Sequence, residues 1–310
     1  MSAALPASAS SPGGCQAALP WGLRILETPE EMVAVEGLTR AIWPGNDLEV
    51  VPAHLLLAAA HNGGLVAGAF AGDRLVGFVF GFPGLVATPE GLQVKHYSHE
   101  LGVHPDFRDR GLGFELKRFQ RQIVQGQGIG RVTWTYDPLL SRNARLNIAK
   151  LGAVCNTYLR DAYGELRDNP NAGLLSDRFQ VDWWLDSPRV VARMAESPRA
   201  LPGLPDLLRR GARLLNPPNS AGIARPPHEA TASRWGIVLE GTPTPLLVEI
   251  PTDILSMKAS DPGLALAWRL GTRACFEGLF GHGFAVTDFL YEPGPPSRAV
   301  YVLRRDEDAS

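Results

Sequence analysis

Leu101-Gly102-Val103-His104-Pro105-Asp106-Phe107-Arg108-Asp109-Arg110-Gly111-Leu112-Gly113 is the run on which the fold turns. An apolar strand ends at Val103, Pro105 cannot donate to a sheet ladder, and two glycines open a helix. Glycine tolerates positive φ and lets backbone approach a ligand, so successive N–H groups here can converge on one anion. The helix adds its N-terminal partial positive charge at the same point. Arg108 and Arg110 bring cationic donors. The pattern predicts a diphosphate cradle at a strand-to-helix turn, formed by Arg108, Arg110, Gly111, Leu112 and Gly113. It is not the dinucleotide fingerprint, which needs a third glycine, nor a Walker loop, which needs Gly-Lys-Ser/Thr. Taken alone, the run also reads as a capping loop that uses glycine for tight packing.

Working outward, a short strand around Leu23 and Ile25 leads into Thr28-Pro29-Glu30-Glu31, where threonine caps and proline opens a helix. Met32, Val35, Leu38 and Ile42 follow at helical spacing. Pro44-Gly45-Asn46-Asp47 breaks this helix, and a second spans 52–61. Apolar strands over 65–70 and 75–82 flank Ala71-Gly72-Asp73-Arg74, a hairpin signal. A strand over 95–103, a helix over 114–126, a strand over 131–136 and a helix over 143–151 complete the order. An antiparallel hairpin joined to a βαβ crossover gives an α/β (α+β) fold, a mixed sheet flanked by helices.

Composition divides the chain further. Residues 1–20 read as a disordered Ala/Ser/Pro/Gly tail, 21–185 as the main domain, and 186–232 as a Pro-rich linker. Residues 233–305 read as a smaller ββαββ segment: strands over 236–240 and 246–250, a helix over 262–280, and strands over 284–291 and 299–303. This segment is expected to complete or extend the sheet, with a homodimer as one way of doing so.

Thirty basic and 32 acidic side chains leave a net charge of -2 over 310 residues, so no global field recruits nucleic acid. No apolar run reaches the roughly 18 residues of a membrane helix, and the opening lacks the basic and apolar regions of a secretion signal. Cys15, Cys155 and Cys275 make neither a metal spacing nor a disulfide framework. The expectation is a reduced cytoplasmic protein without a metal.

Val103, Pro105, Phe107, Arg108, Gly111 and Gly113 resemble the signature of the GNAT superfamily of N-acyltransferases. The preceding hairpin and the helix ending Lys150-Leu151-Gly152-Ala153 are similar to the family order. The resemblance spans roughly residues 21–185 and implies a half-GNAT likeness for the C-terminal segment. It implies that the loop amides hold the pyrophosphate of coenzyme A. It also implies that the strands over 95–103 and 131–136 splay, so that backbone groups of Leu101 and Val103 receive the thioester and the pantetheine arm.

Amine acylation needs a base or relay, an oxyanion donor and an acid for the thiolate. Tyr97, His99 and Leu101 share a strand face by two-residue period. The resemblance makes Tyr97 and His99 relay positions; His99, with an unperturbed pKa near 6.5, is the first choice of base. Glu100, on the opposite face, is the reserve. The usual acid position holds Ile148, which cannot donate, leaving Tyr158 or Tyr163 to substitute. Ser98-His99, the 133–139 run, Asn143, Asn147, Tyr163-Gly164 and Ser176–Phe179 further resemble a bacterial GNAT branch encoded beside N-acylamino-acid racemases. That implies acetyl-CoA or succinyl-CoA as co-substrate and an amino-acid amine as acceptor. Asp137 would hold the ammonium, Arg178 a carboxylate, and Asn143 and Asn147 polar groups. The competing reading is a non-catalytic acyl-CoA-binding module with a C-terminal partner surface.

Overall fold

The computed structural model describes residues 20–44, 50–164, 175–195, 202–220, 222–227 and 245–305. The tail up to residue 19 and the strand expected over 236–240 lie outside the described residues.

Strand β1 (Gly22–Ile25) precedes α1 (Pro29–Ile42). Helix α1 starts where the local sequence demands: Thr28 accepts from the Glu31 N–H while Glu31 returns to the Thr28 N–H, a reciprocal capping box. Next come α2 (Ala53–His61), β2 (Leu65–Ala71), β3 (Arg74–Thr88) and β4 (Gly91–Val103). A 3-10 turn (Pro105–Phe107) leads to α3 (Leu112–Gly126), β5 (Arg131–Tyr136) and α4 (Ser141–Ala144). Helix α4 runs on into a π-helical stretch, Arg145–Lys150. Strands β6 (Val154–Leu159) and β7 (Arg178–Trp184) follow.

The proline-rich stretch is partly built structure, carrying α5 (Pro188–Met194), α6 (Leu204–Arg209) and β8 (Arg213–Leu214). Val190, Leu204 and Leu207 are buried, which a pure linker would not achieve. Then come β9 (Leu246–Ile250), α7 (Ile254–Ser260), α8 (Pro262–Gly281), β10 (Phe284–Glu292) and β11 (Arg298–Arg305).

Among the described residues eleven strands join one mixed sheet in the order β1-β2-β3-β4-β5-β7-β6-β10-β11-β9-β8. Helices cover both faces. Met32, Leu38 and Leu56 of α1 and α2 bury Phe78 and Phe80 on one face. Leu112 and Leu116 of α3 bury Val79 on the other. Each such side chain contributes about 1.5–3 kcal/mol by leaving water.

From β4 to β8 the pairing pattern is symmetric about the β6–β10 junction, with β1–β3 added beyond β4. Parallel β4–β5 at one end answers parallel β8–β9 at the other, with antiparallel pairs between. Gly152 and Gly283, at φ 78° and 76°, introduce β6 and β10. The third residue after each, Cys155 and Val286, pair with one another across the junction. Thus β10 of the same chain fills the outer edge of β6. The glycine loop that separates β4 from β5 has no counterpart among the described residues between β8 and β9.

Candidate active site

Beyond Val103 the chain turns through Asp109 and Gly111, whose φ values of 60° and 86° lie in the left-handed region. Gly111 takes this without Cβ strain and caps α3. The Phe107 and Arg108 N–H groups close the preceding turn onto His104 and Pro105, and those of Phe114 and Glu115 bond the Gly111 carbonyl. The amides of Asp109 through Gly113 have no hydrogen-bond acceptor among the described residues. They adjoin a cavity of about 480 Å³ lined by Leu101, Val103, Arg108, Gly111, Leu112 and Gly113 among others. A Cβ on Gly113 would meet nothing closer than 3.7 Å, so the missing side chain leaves space rather than relieving a clash.

Four cations, Arg108, Arg142, Arg145 and Lys150, line this cavity against one carboxylate, Asp109. The last three cations come from α4 and its π-helical extension; their basic run was visible in the sequence but not their approach to the loop. Arg110 is a correction: its guanidinium lies over the Phe107 ring at 5.4 Å and it does not line the cavity. Arg108 donates through Nε to the Val103 carbonyl at 3.2 Å, so that carbonyl already has a partner. Free amides, a helix N-terminus and an arginine cluster fit a linked pair of phosphates.

Strands β4 and β5 pair only at His96–Val132 and Tyr97–Thr133. Beyond these pairs they diverge and the sheet opens. Just there β4 carries a bulge: Gly81 pairs with Ser98 and Phe80 with Glu100, leaving His99 as the extra residue. Opposite the bulge, Gly81 makes room for the buried His96 ring, because a Cβ at that position would lie 2.3 Å from His96 Nε2 and 2.6 Å from the Tyr97 carbonyl.

The bulge overturns the expected alternation. Tyr97 and His99 share a face, each packed on Phe82 at 5.6 and 6.0 Å. Leu101 instead packs toward α3 beside Leu112 and Leu116. Glu100, expected on the far face, has its carboxylate 4.0 Å from His99 Nε2. The His99 side chain is 37% exposed, and partial burial lowers its pKa, which favours the neutral, proton-accepting form. The Tyr97 hydroxyl is pushed up to about 12, by burial first and then by neighbouring Tyr163. Tyr163 itself lies 2.7 Å from Thr135 Oγ1, and the Arg178 guanidinium stacks over its ring at 5.1 Å. Arg178 donates to the Asp177 carbonyl at 2.9 Å, and burial lowers its pKa from the usual arginine value.

Several predicted residues lie elsewhere. Asp137 is buried and held by Arg269 of α8 through contacts of 2.8 and 2.5 Å, so it has no free edge for an ammonium. Tyr158 donates to Asp177 at 2.7 Å, and Arg273 clamps that carboxylate with two bonds. Burial, then the charge of Asp177, raises the Tyr158 pKa, which unsuits it as acid for a thiolate. Asn143 lines the same cavity as the glycine loop. Asn147 is buried in the π-helical stretch, where i, i+4 no longer defines a common face. Ile148 is wholly buried. Cys155, also buried, has its thiol pushed up by burial, which leaves no nucleophile there.

Residues 33–152 match the model of the Acetyltransferase (GNAT) family. This stretch of the chain is similar to the GNAT acetyltransferases. Solved structures are similar at low identity. One is yncA from Salmonella typhimurium with its cofactor acetyl-CoA, at 17% identity over 59% of this chain and 100% of that one, TM-score 0.43. Another is Ard1 from Thermoplasma volcanium, at 16% identity over 53% and 97%, TM-score 0.41. A third is the ribosomal-protein-S18-alanine N-acetyltransferase of Escherichia coli, at 12% identity over 54% and 95%, TM-score 0.39. No curated protein matches the chain. The match over this stretch indicates an acyltransferase. Among its described residues no helix is long and apolar enough to cross a membrane, and no group of three metal-ligating side chains occurs.

Proposed function

We propose that the protein transfers an acetyl or succinyl group from coenzyme A to the amine of a small carboxylate-bearing acceptor, an amino acid or close relative. The observation that carries this reading is the row of amides from Asp109 to Gly113 beside a cationic cavity. It lies next to strands that diverge toward His99. In this reading the acceptor sits on the face of Tyr97, His99 and Tyr163. Neutral His99 takes a proton from the ammonium and passes it to Glu100, 4.0 Å away. The amine attacks the thioester carbonyl directly, the C–N bond forms, the C–S bond breaks, and the nitrogen's surplus proton goes to the departing thiolate so that coenzyme A leaves as the thiol.

Arg178, stacked on Tyr163, is the cation of this face suited to a carboxylate. Arg178 keeps the carboxylate role that the sequence likeness to the branch encoded beside N-acylamino-acid racemases implies, while the ammonium role of Asp137 falls to the His99 and Glu100 pair. A homodimer is compatible with this reading but must use a surface other than the β6 edge, which β10 occupies.

Buried Ile148 at the expected acid position favours a second reading, a coenzyme-binding module without turnover. Thiol release from acetyl-CoA and succinyl-CoA across an amino-acid panel separates the two. Turnover with a carboxylate-bearing amine, lost in the Arg178→Met variant through a raised KM, supports the enzyme. Calorimetric coenzyme binding without thiol release across the panel establishes the module.

A further inference from the structure

Behind the opening between β4 and β5, on the face opposite His99, lies a buried polar group that the chemistry above does not use. Lys117 projects from α3 one turn beyond Gly113 and is 2% exposed. Its Nζ donates to Ser98 Oγ at 3.0 Å and to Gln120 Oε1 at 2.8 Å. It also stands 3.7 Å from the centre of the Trp134 ring. No carboxylate pairs with it among the described residues. Burying an amine without a counter-charge is costly, and an apolar side chain of equal length would fill the same volume more cheaply. What the amine adds is direction: three contacts at fixed positions.

Those positions are informative. The last β4–β5 pair is Tyr97–Thr133. Ser98 is the next residue on β4 and Trp134 the next on β5, so one side chain touches both strands where their backbone pairing stops. Gln120 extends the contact to His96 Nε2 at 3.2 Å, inside the paired part of β4. Helix α3 therefore holds both strands at the point of divergence. A ligand with its diphosphate on the 109–113 amides must cross the sheet through this gap to bring a reacting carbonyl to the His99 face.

We propose that Lys117 is a positioning residue: it braces β4 and β5 from the α3 side and fixes the width of the gap that presents the acyl group to His99. The catalytic half of this proposal rests on the acyltransferase reading above; the brace itself does not. The test uses the full chain with Lys117→Met, which keeps the volume, and Ser98→Ala, which removes one contact. Hydrogen–deuterium exchange is read over 96–103 and 131–136, alongside global stability, coenzyme A affinity and kcat with the best amine.

In Lys117→Met, exchange in the two segments should rise about tenfold or more while global stability is kept. The kcat should fall about tenfold, with coenzyme Kd and amine KM within about twofold of wild type. Unchanged exchange in those segments at retained stability overturns the brace, as does a rise spread evenly over the chain. Should Lys117→Met fail to fold, Ser98→Ala decides by the same exchange criterion, with an expected rise of about threefold. If the wild-type protein acylates no amine, the exchange result still stands or falls alone, and only the functional reading is lost.

Discussion

Replacing Arg269 by methionine measures what the C-terminal helix contributes to the end of β5. Arg269 and Asp137 are 0% and 2% exposed and meet through two short contacts. Methionine fills much of the guanidinium's space but leaves the Asp137 carboxylate, among the described residues, with one remaining donor, the Leu139 N–H at 2.9 Å. Removing one partner of a buried pair costs about 3–5 kcal/mol, because the remaining charge is uncompensated in a low-dielectric site. At about 2–4 °C per kcal/mol for a large domain, Tm should fall by about 6–20 °C. The double variant Arg269→Met/Asp137→Asn removes the stranded charge and should return to within about 2 kcal/mol of wild type. Urea denaturation followed by fluorescence and circular dichroism gives the free energies, and amine titration gives KM. Since Asp137 is assigned to Arg269 rather than to substrate, KM in the double variant should move less than about threefold. A loss under about 1 kcal/mol in Arg269→Met would refute the energetic reasoning. A tenfold KM rise in a stable double variant would return Asp137 to the acceptor ammonium.

Three further outcomes are expected. Gly113→Leu should leave Tm within a few degrees, since its Cβ meets nothing closer than 3.7 Å, yet weaken coenzyme A about tenfold or more by filling the cradle; unchanged calorimetric affinity would place the phosphates elsewhere. His96 is held at about 4 by burial and then by Lys117, so between its unfolded value of about 6.5 and 4 only the unfolded chain takes up the proton. Its contribution is therefore complete above pH 6.5 and lost as pH falls, about 2 kcal/mol of it by pH 5. His96→Asn should flatten that slope in urea titrations, and an unaltered slope would contradict the assignment. Because burial lowers the His99 pKa, kcat/KM should fall on the acid side with an apparent pKa under 6.5. His99→Ala should remove that limb and cut kcat about 10²-fold, with coenzyme affinity retained; persistence of the limb would exclude His99 as base.

Much of the domain was legible along the chain because its determinants are local. The Thr28–Glu31 capping box lies within four residues. The glycine loop, from Val103 to Gly113, carries its own turn and helix start, and a cavity adjoins it. The C-terminal strand Leu246–Ile250 and the helix beginning at Pro262 were equally plain from apolar run and proline cap.

What failed depended on contacts between distant segments. A two-residue period put Leu101 with His99 and Glu100 opposite. The bulge reverses this, and it arises from pairing β4 against Gly81 of another strand. Asp137 looked free because Arg269 is 132 residues away in sequence, and Tyr158 because Asp177 and Arg273 reach it only in the folded sheet.

The sequence by itself determined the glycine loop, the helix that follows and the mixed character of the sheet, since each is written in short-range steric and hydrogen-bonding preferences. Only the tertiary structure decided which face His99 and Glu100 share, which carboxylates are already paired, and that β10 closes the β6 edge within one chain. Those outcomes are set by strand register and side-chain encounter across the fold, quantities that no local window of residues contains.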